Sequence, residues 1–119
     1  MSSRRIEDLS IELQHKYAEF KALMEQAGID FIVTCTYRSQ EEQDRLWAQG
    51  RTVPGKRATW TRSSRHTART AFDIAIVKNG KVTWDVRDYF KPGEIAKGIG
   101  LTWGGSWKKP DYVHFQLGA

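Results

Sequence analysis

The sequence of 119 residues is poor in cysteine, proline and histidine and has no long apolar run. Its single cysteine, Cys35, cannot form an internal disulfide, so folding does not depend on an oxidising compartment. Its position in an apolar segment predicts a small core residue rather than a nucleophile. No stretch approaches the roughly 20 apolar residues of a transmembrane helix. The first residues also lack the apolar segment of a secretion signal, so we expect neither membrane insertion nor export by a signal of its own.

What the sequence does contain is typical of a packed globule with a positive surface. Hydrophobic residues make up 39% of the chain, and five of them are tryptophans. The length suits one domain over residues 1–119 with a single core. Nineteen basic against 14 acidic residues give a net charge of +5, which favours an anionic partner such as nucleic acid, a membrane surface or bacterial cell wall. Charge alone does not choose among these partners.

The first half of the chain predicts a helix, a strand and a second helix. Apolar residues recur at helical spacing between a candidate N-cap at Ser10 and a stop at Gly28. Residues 29–36 are rich in β-branched side chains and predict a strand. Residues 39–42 then form a capping box for a helix that ends near residue 49.

The second half begins with a loop and continues mainly as strands. Residues 51–65 lose periodicity and carry several basic side chains, which predicts a long loop that could steer an anionic polymer. The remaining predicted elements are a strand over residues 71–77, a hairpin turn at Asn79-Gly80, a return strand through Val82 and Trp84, a helix over residues 92–97 with Pro92 at its first position, and a strand over residues 111–117.

The most unusual feature is an acid inside the apolar strand over residues 71–77. An ionised Asp73 in such a place costs several kcal/mol, of the order of 3–5, unless a cation, hydrogen bonds or a metal compensate it. His66 is the nearest residue with suitable chemistry. Asp73 and His66 are therefore candidates for one functional site.

The last predicted strand supplies a second candidate histidine. Strand alternation places Val113, Phe115 and Leu117 on one face and Tyr112, His114 and Gln116 on the other. His114 thus points away from the apolar side, and Asp111 precedes it at the strand entrance. The third histidine, His15, lies off the apolar stripe of its helix and is expected to be solvated.

These residues also carry a family resemblance. Residues 64–73, Ser-Arg-His-Thr-Ala-Arg-Thr-Ala-Phe-Asp, resemble the Ser-x-His-x-x-Gly-x-Ala-x-Asp motif of the zinc D,D-/L,D-peptidases, which include VanX- and VanY-like enzymes and phage L-alanyl-D-glutamate endolysins. Residues 111–114 are similar to the second motif of that family, and residues 37–39 with 42–43 to its first. The resemblance implies a compact α+β fold of the Hedgehog/DD-peptidase type, in which an antiparallel sheet carries the site and helices pack on its other side.

The resemblance also implies the roles of the site residues. His66, Asp73 and His114 would be the ligands of Zn²⁺, and Asp111 would be the general base. Two imidazoles and one carboxylate form a donor set that suits zinc and leaves the fourth tetrahedral position for water. Asp111 could accept the proton of that water and pass it to the leaving amine.

Two further residues complete the implied site, and one departs from the family pattern. Arg38 would stabilise the developing oxyanion or hold a substrate carboxylate, while Ser64 would orient the loop or the substrate. Arg69 stands where the family has glycine. Because glycine is preferred where the backbone needs positive φ, Arg69 either changes the local conformation or is tolerated in this branch. A distorted turn would disturb the geometry between His66 and Asp73, and the Arg69 side chain could instead bind substrate.

The resemblance favours hydrolysis of the L-Ala to D-Glu bond of peptidoglycan stem peptides, because the base is aspartate where the VanX-like dipeptidases have glutamate. We accordingly expect a monomer that acts on bacterial peptidoglycan, binds no nucleic acid and serves in phage lysis after holin-type release from the host cytoplasm. A D-Ala-D-Ala carboxypeptidase is the alternative within the family. A basic nucleic-acid-binding module is the alternative outside it.

The five tryptophans divide into two groups by context. Trp47, Trp84 and Trp103 are predicted to line the core or the walls of a cleft. Trp60 and Trp107 lie in loop-like segments and are candidates for contact with substrate.

Overall fold

The computed structural model describes residues 2–56, 58–59 and 64–118. Within them the α-helices are α1 (Ile11–Gln26), α2 (Gln40–Ala48) and α3 (Phe90–Gly98), and the strands are β1 (Asp30–Cys35), β2 (Ala71–Lys78), β3 (Lys81–Thr83), β4 (Thr102–Trp103) and β5 (His114–Gln116). Short 3-10 helices occupy Ile6–Asp8, Val86–Tyr89 and Gly104–Ser106. None of the helices in this part of the chain is long and apolar enough to cross a bilayer.

The strands form one antiparallel sheet with β2 at its centre. β1 pairs along one side of β2, while β3 and β5 pair with different parts of its other side, and β4 extends the sheet beyond β5. Antiparallel strands alternate their side chains between the two faces. The two faces of β2 consequently have separate uses, one for the core and one for the site.

The core lies on the face of the sheet that α1 and α3 cover. Its buried members are Leu9, Leu13, Phe20, Met24, Phe72, Ile74, Ile76, Tyr89, Ala96, Leu101, Trp103 and Phe115. The Phe20 ring of α1 lies 5.6 Å from the ring of Phe72 and 5.1 Å from that of Phe115, so the helix packs directly on the two central strands. The residues that alternate with Phe72 on β2, among them Asp73, therefore face away from the core. The predicted α+β fold with an antiparallel sheet is confirmed.

The predicted helix caps are also present. The Ser10 hydroxyl accepts a hydrogen bond from the N–H of Leu13 at 3.3 Å, and Gly28 has a φ of +71° at the end of the first helix. The Ser39 hydroxyl accepts from the N–H of Glu42 at 3.2 Å. These bonds satisfy backbone groups that the first turn of a helix leaves unpaired.

Two predictions around β3 are wrong. Trp84 is 67% exposed, so it lines neither the core nor the wall of a cleft. The reason is that β3 ends at Thr83 and the chain turns towards the 3-10 helix Val86–Tyr89. This helix runs directly into α3, which makes Pro92 the third residue of α3 instead of its first.

A β-bulge alters the face on which Cys35 lies. The pairing of β1 with β2 shifts by one residue between Val33 and Cys35, so that Cys35 lies opposite Asp73. Without the shift Cys35 would pair with Phe72 and face the core. Bulges of this kind often re-aim a side chain next to an active site. Cys35 is buried as predicted, at 6% exposure, but beside the acid instead of among the core residues.

Arg69 keeps the backbone conformation for which the family uses glycine. Its φ is +64°, and its carbonyl oxygen accepts a hydrogen bond from the N–H of Ser10 at 3.0 Å. Its guanidinium lies 4.1 Å from the ring centroid of Tyr37, and Nη1 donates to the carbonyl oxygen of Asp8 at 2.9 Å. The side chain thus contacts the N-terminal segment, away from the cleft described below. The turn is retained, and the contacts of the arginine offset its strain.

The two substitutions Arg69→Ala and Arg69→Gly should separate this strain from these contacts. Alanine loses the contacts but keeps the left-handed backbone, so we expect it to lower the free energy of unfolding by about 1–2 kcal/mol. Glycine loses the same contacts but relieves roughly 1 kcal/mol of backbone strain. It should therefore be more stable than the alanine variant, as measured by urea denaturation. Equal stability of the two variants would show that the turn does not require positive φ.

Candidate metal and catalytic site

Three potential metal ligands converge on the face of the sheet opposite the core. His66 lies on the turn before β2, while Asp73 of β2 and His114 of β5 are direct partners across the two strands. His66 Nε2 and His114 Nδ1 lie 2.9 and 3.1 Å from the same oxygen, Oδ1 of Asp73. The candidate ligand atoms all lie within 4.8 Å of one another. His114 is thus adjacent to His66 and Asp73, although it lies far from both in the sequence.

The cluster is electrostatically balanced even before any ion is considered. Burial by itself would lower the pKa of His66, but hydrogen bonds to Asp73 and Cys35 raise it to about 10. Burial would raise the pKa of Asp73, but hydrogen bonds from His114 and His66 hold it well below its usual range. Hydrogen bonds to the two imidazoles thus offset the free-energy cost of burying the Asp73 carboxylate in an apolar strand.

In each imidazole, the nitrogen that faces away from Asp73 contacts a hydrogen-bond acceptor. His66 Nδ1 lies 3.3 Å from the carbonyl oxygen of Thr36, and His114 Nε2 lies 2.8 Å from Oε1 of Gln116. In the neutral imidazole that a metal ion requires, an acceptor at the outer nitrogen fixes the one ring proton there and leaves the lone pair of the inner nitrogen directed at the site. Both histidines are consequently oriented as metal-binding histidines usually are.

The partner of His66 is itself fixed by the N-terminal segment. The Thr36 N–H donates to the carbonyl oxygen of Ser3 at 2.7 Å, and the Thr36 hydroxyl donates to that of Arg5 at 2.8 Å. The Ser3 N–H in turn donates to the carbonyl oxygen of Tyr37 at 2.7 Å. Residues 3–5 therefore run beside the end of β1 and hold the carbonyl group that His66 contacts.

The donor set fits a divalent transition metal. Two imidazole nitrogens and one carboxylate oxygen form an N/O set with room for a further ligand, as in catalytic metal sites. A single carboxylate is too few for a calcium or magnesium site built from oxygen ligands. The group of His66, Asp73 and His114 can thus hold a metal ion.

Asp111 lies beside this cluster and outside the ligand group. Its N–H donates to the carbonyl oxygen of Gly104 at 2.9 Å, and its own carbonyl accepts from the N–H of His114 at 3.3 Å. A Cβ at position 104 would lie 2.4 Å from the Asp111 carbonyl oxygen and 3.2 Å from the His114 Cβ, so this close approach requires glycine. Although the residue retains exposed surface, partial burial of its carboxyl group and the nearby charge of Asp73 raise the pKa of Asp111.

Arg38 and Ser64 lie in the same cleft. Arg38 Nη1 donates to Gln43 Oε1 at 3.0 Å and Nη2 lies 3.7 Å from the Cys35 sulfur. Its Nε is buried and has no hydrogen-bond acceptor among the described residues. The Ser64 hydroxyl accepts from the N–H of His66 at 3.1 Å, which stabilises the turn on which that histidine lies.

The cleft itself has a volume of about 660 Å³ and contains all six residues that the sequence nominated. Trp107 forms one wall, with its ring centroid 5.2 Å from that of His114. Trp107 also lines a second cleft of about 610 Å³, to which Lys108 and Lys109 contribute. Trp107 is therefore placed as a substrate-contact candidate, as the sequence suggested. Trp60 lies outside the described residues, and His15 is exposed as predicted.

Sequence reasoning assigned no role of its own to three buried polar residues near the site, of which Thr36 and Gln116 contact the imidazoles and Gln43 contacts Arg38. Thr36, Gln43 and Gln116 are polar side chains with 0%, 0% and 3% exposure. For Gln116 a signal existed, because strand alternation had already placed it on the same face as His114. Thr36 acts through its backbone carbonyl, which no residue-type pattern reveals.

The family to which the chain belongs follows from comparison with known proteins. A family model of the M15 peptidases, described as D-alanyl-D-alanine carboxypeptidase, matches residues 57–117, just over half of the chain. The chain belongs to this peptidase family. Its members are generally metal-dependent, which agrees with the ligand group described above.

Two relatives place the chain more closely within the family. The peptidoglycan L-alanyl-D-glutamate endopeptidase CwlK of Bacillus subtilis (strain 168) is 38% identical over 110 residues, which cover 82% of this chain. The chain spans 66% of the length of that relative. The crystal structure of the Serratia marcescens L-Ala D-Glu endopeptidase ChiX matches with a TM-score of 0.77 at 23% identity and covers 99% of this chain and 89% of that one. The latter likeness confirms the fold, and the resemblance drawn from the sequence motifs is confirmed by the family match.

Proposed function

We propose that the protein is a zinc peptidase that hydrolyses the L-Ala to D-Glu bond in peptidoglycan stem peptides. The observation that carries the proposal is the convergence of His66, Asp73 and His114 with Asp111 in one open cleft. The family membership and the substrate named for the Bacillus subtilis relative support the same reaction.

In this proposal the ion would be held by His66 Nε2, His114 Nδ1 and the Asp73 carboxylate. When bound, Zn²⁺ supplies Lewis-acid activation of the scissile carbonyl group and of the attacking water. The chain contributes the rigid placement of the three donors on two paired strands and the hydrogen bonds that orient each imidazole. Preorganised donors of this kind avoid reorganisation during the reaction.

Asp111 is the proposed proton carrier. Its carboxylate accepts a proton from the attacking water and gives it to the nitrogen of the leaving amine when the peptide bond breaks. A pKa raised by burial and by the charge of Asp73 brings this carboxyl closer to the range in which it can both accept and donate a proton. Its backbone bonds to Gly104 and His114 keep it beside the ligands.

Arg38 is proposed to bind the substrate, and Ser64 to orient the loop or the substrate. Arg38 lines the cleft, which places its guanidinium as the donor to a substrate carboxylate or to the developing oxyanion. Ser64 contributes mainly through the turn that carries His66. Arg69 has no such role in the proposal, because its side chain contacts Asp8 and Tyr37.

The shape of the site favours a substrate longer than a free dipeptide. The site cleft and the second cleft share Ala58, Trp107 and Asp111, so a peptide can extend from the proposed catalytic residues in that direction. Lys108 and Lys109 border this extension and suit the carboxylates of stem peptides. A free dipeptide would use only the first cleft.

Mass spectrometry of digested muropeptides tests the proposal. We expect new amino-terminal D-Glu in the products of the zinc-loaded protein and none after chelation. Release of terminal D-Ala without new amino-terminal D-Glu would reject this bond in favour of the carboxypeptidase activity that describes the family model. Salt-sensitive binding of DNA with no bound zinc and no cleavage would instead favour the non-enzymatic alternative.

The biological setting is part of the proposal. We infer a monomeric, single-domain enzyme over residues 1–119 that serves as a phage endolysin with antimicrobial action on the bacterial wall. It would be made in the host cytoplasm and reach the peptidoglycan after holin-type release. The positive net charge of +5 would hold it on that anionic polymer.

A further inference from the structure

The two imidazoles of the site differ in the group that their outer nitrogen, the one facing away from Asp73, contacts. His66 Nδ1 meets a backbone carbonyl, that of Thr36, whereas His114 Nε2 meets a side chain, that of Gln116. Gln116 is 3% exposed, and its Oε1 lies 2.8 Å from the histidine nitrogen. A buried amide of glutamine must satisfy its polar groups within the protein, and this contact does so for Oε1.

We propose that Gln116 is a positioning residue of the metal centre, which fixes the tautomer of His114 by accepting a hydrogen bond from its Nε2–H. The inference rests on the proposed function, in which His114 Nδ1 is a metal ligand. With the proton held on Nε2, the lone pair of Nδ1 points towards Asp73 Oδ1, the oxygen that His66 Nε2 also approaches. Gln116 then acts on the metal through His114 alone.

The backbone around Gln116 is well suited to this task. Gln116 follows His114 by two residues on β5, so the two side chains leave the strand on the same face. Its backbone is paired with Ala71 of β2 on one side and with Thr102 of β4 on the other. The amide is consequently placed by a strand that is fixed on both sides, and it limits rotation of the imidazole ring.

The orientation of the Gln116 side-chain amide determines which nitrogen of His114 carries the proton. If Gln116 presented its NH₂ group to Nε2, that nitrogen would have to accept and the ring proton of a neutral imidazole would lie on Nδ1. A proton on Nδ1 points at Asp73 and excludes a metal from that nitrogen. A carboxylate at position 116 can only accept, so Gln116→Glu retains the required tautomer, whereas Gln116→Leu removes the acceptor at similar volume.

Zinc affinity and the tautomer of His114 provide the test. Competition with a chromophoric chelator should show that Gln116→Leu binds zinc 10–100-fold more weakly than the unaltered protein, as is usual when the partner of a metal-binding histidine is lost. Gln116→Glu should bind zinc at least as tightly as the unaltered protein. Zinc on Nδ1 requires the ring proton on Nε2, so ¹⁵N chemical shifts of His114 in the zinc-loaded protein should show a hydrogen-bonded Nε2–H in the unaltered protein and in the glutamate variant. The leucine variant should lose this hydrogen-bonded signature.

A second buried glutamine serves as the matched control. Gln43 has 0% exposure and bonds to Arg38 and Thr59, so Gln43→Leu makes the same chemical change away from the imidazoles. We expect its zinc affinity to equal that of the unaltered protein. An equal loss of affinity in Gln116→Leu, Gln116→Glu and Gln43→Leu would assign the effect to packing and overturn the inference.

The outcomes separate this inference from the proposed function. If the unaltered protein binds zinc but Gln116→Leu binds it equally well with the same ¹⁵N shifts, the inference is wrong and the proposed function stands. If the unaltered protein binds no zinc, both fail together. Retention of zinc affinity by Gln116→Glu with its loss in Gln116→Leu supports the inference.

Discussion

Replacement of Asp111 by asparagine should lower kcat by about 10²–10⁴-fold while the bound metal is retained. Asparagine has nearly the same shape but cannot accept the proton of the attacking water. Because Asp111 is held through backbone bonds to Gly104 and His114, the substitution should leave the site geometry unchanged. Muropeptide release by Asp111→Asn, measured beside its zinc content, tests the expectation.

Asp85→Asn supplies the control for that measurement. Asp85 is an exposed aspartate paired with Arg87 and lies outside the cleft, so its asparagine variant should retain full activity. Full activity of Asp111→Asn would remove Asp111 as the proton carrier. Loss of zinc from Asp111→Asn would instead show that this residue contributes to metal binding.

Replacement of Asp73 by alanine is expected to have the largest effect of all. It removes a proposed metal ligand, and cleavage should therefore cease. Loss of a residue that only hydrogen-bonds to a ligand typically lowers metal affinity about 10–100-fold, so the loss of zinc affinity should be larger here. It also removes the anion that balances buried His66, whose pKa the carboxylate raises to about 10. Loss of the carboxylate should lower the free energy of unfolding by up to about 3 kcal/mol. The loss is limited because His66 can release its proton and become neutral.

Two measurements separate the effects of Asp73→Ala. Urea denaturation of metal-free protein reports the loss of stability without any contribution from zinc, and Asp111→Asn should show no comparable loss. Chelator competition reports the loss of affinity. Retention of zinc and activity by Asp73→Ala would exclude the proposed ligand group, whereas unchanged stability in the metal-free state would show that His66 does not depend on this carboxylate.

Much of the fold was accessible from local chemistry in the sequence. Ser10 and Ser39 cap their helices as predicted, because N-capping depends on residues only three positions apart. The acid in the apolar strand, the histidine before β2 and the histidine of β5 pointed to the group that the structure brings together, since a buried carboxylate needs partners wherever it lies. Spaced motifs then supplied the family, which the comparisons confirmed.

The features that the sequence did not reveal depend on pairing between distant segments. The register shift that turns Cys35 towards Asp73 exists only in the pairing of β1 with β2. The exposure of Trp84 follows from where β3 ends, although its hydrophobicity had suggested burial. The support of His66 by Thr36 is a backbone contact across 30 residues, which no pattern of side chains encodes.

Arg69 shows that a residue can depart from a sequence motif without a change in backbone conformation. The motif has glycine at this position because the turn needs positive φ, and the structure retains a φ of +64° with arginine. The contacts of the side chain to Asp8 and Tyr37 offset that strain. A substitution that breaks a motif can thus keep the geometry that the motif exists to encode.

The pairing of β2 with β5 has a further consequence for the order of folding events. Asp73 and His114 are 41 residues apart in the chain, and closing so long a loop costs entropy before the pair can form. This cost favours completion of the metal centre after the local elements have formed, at the step in which β5 docks on β2. In a refolding experiment with zinc present, the appearance of metal binding should report this late docking step.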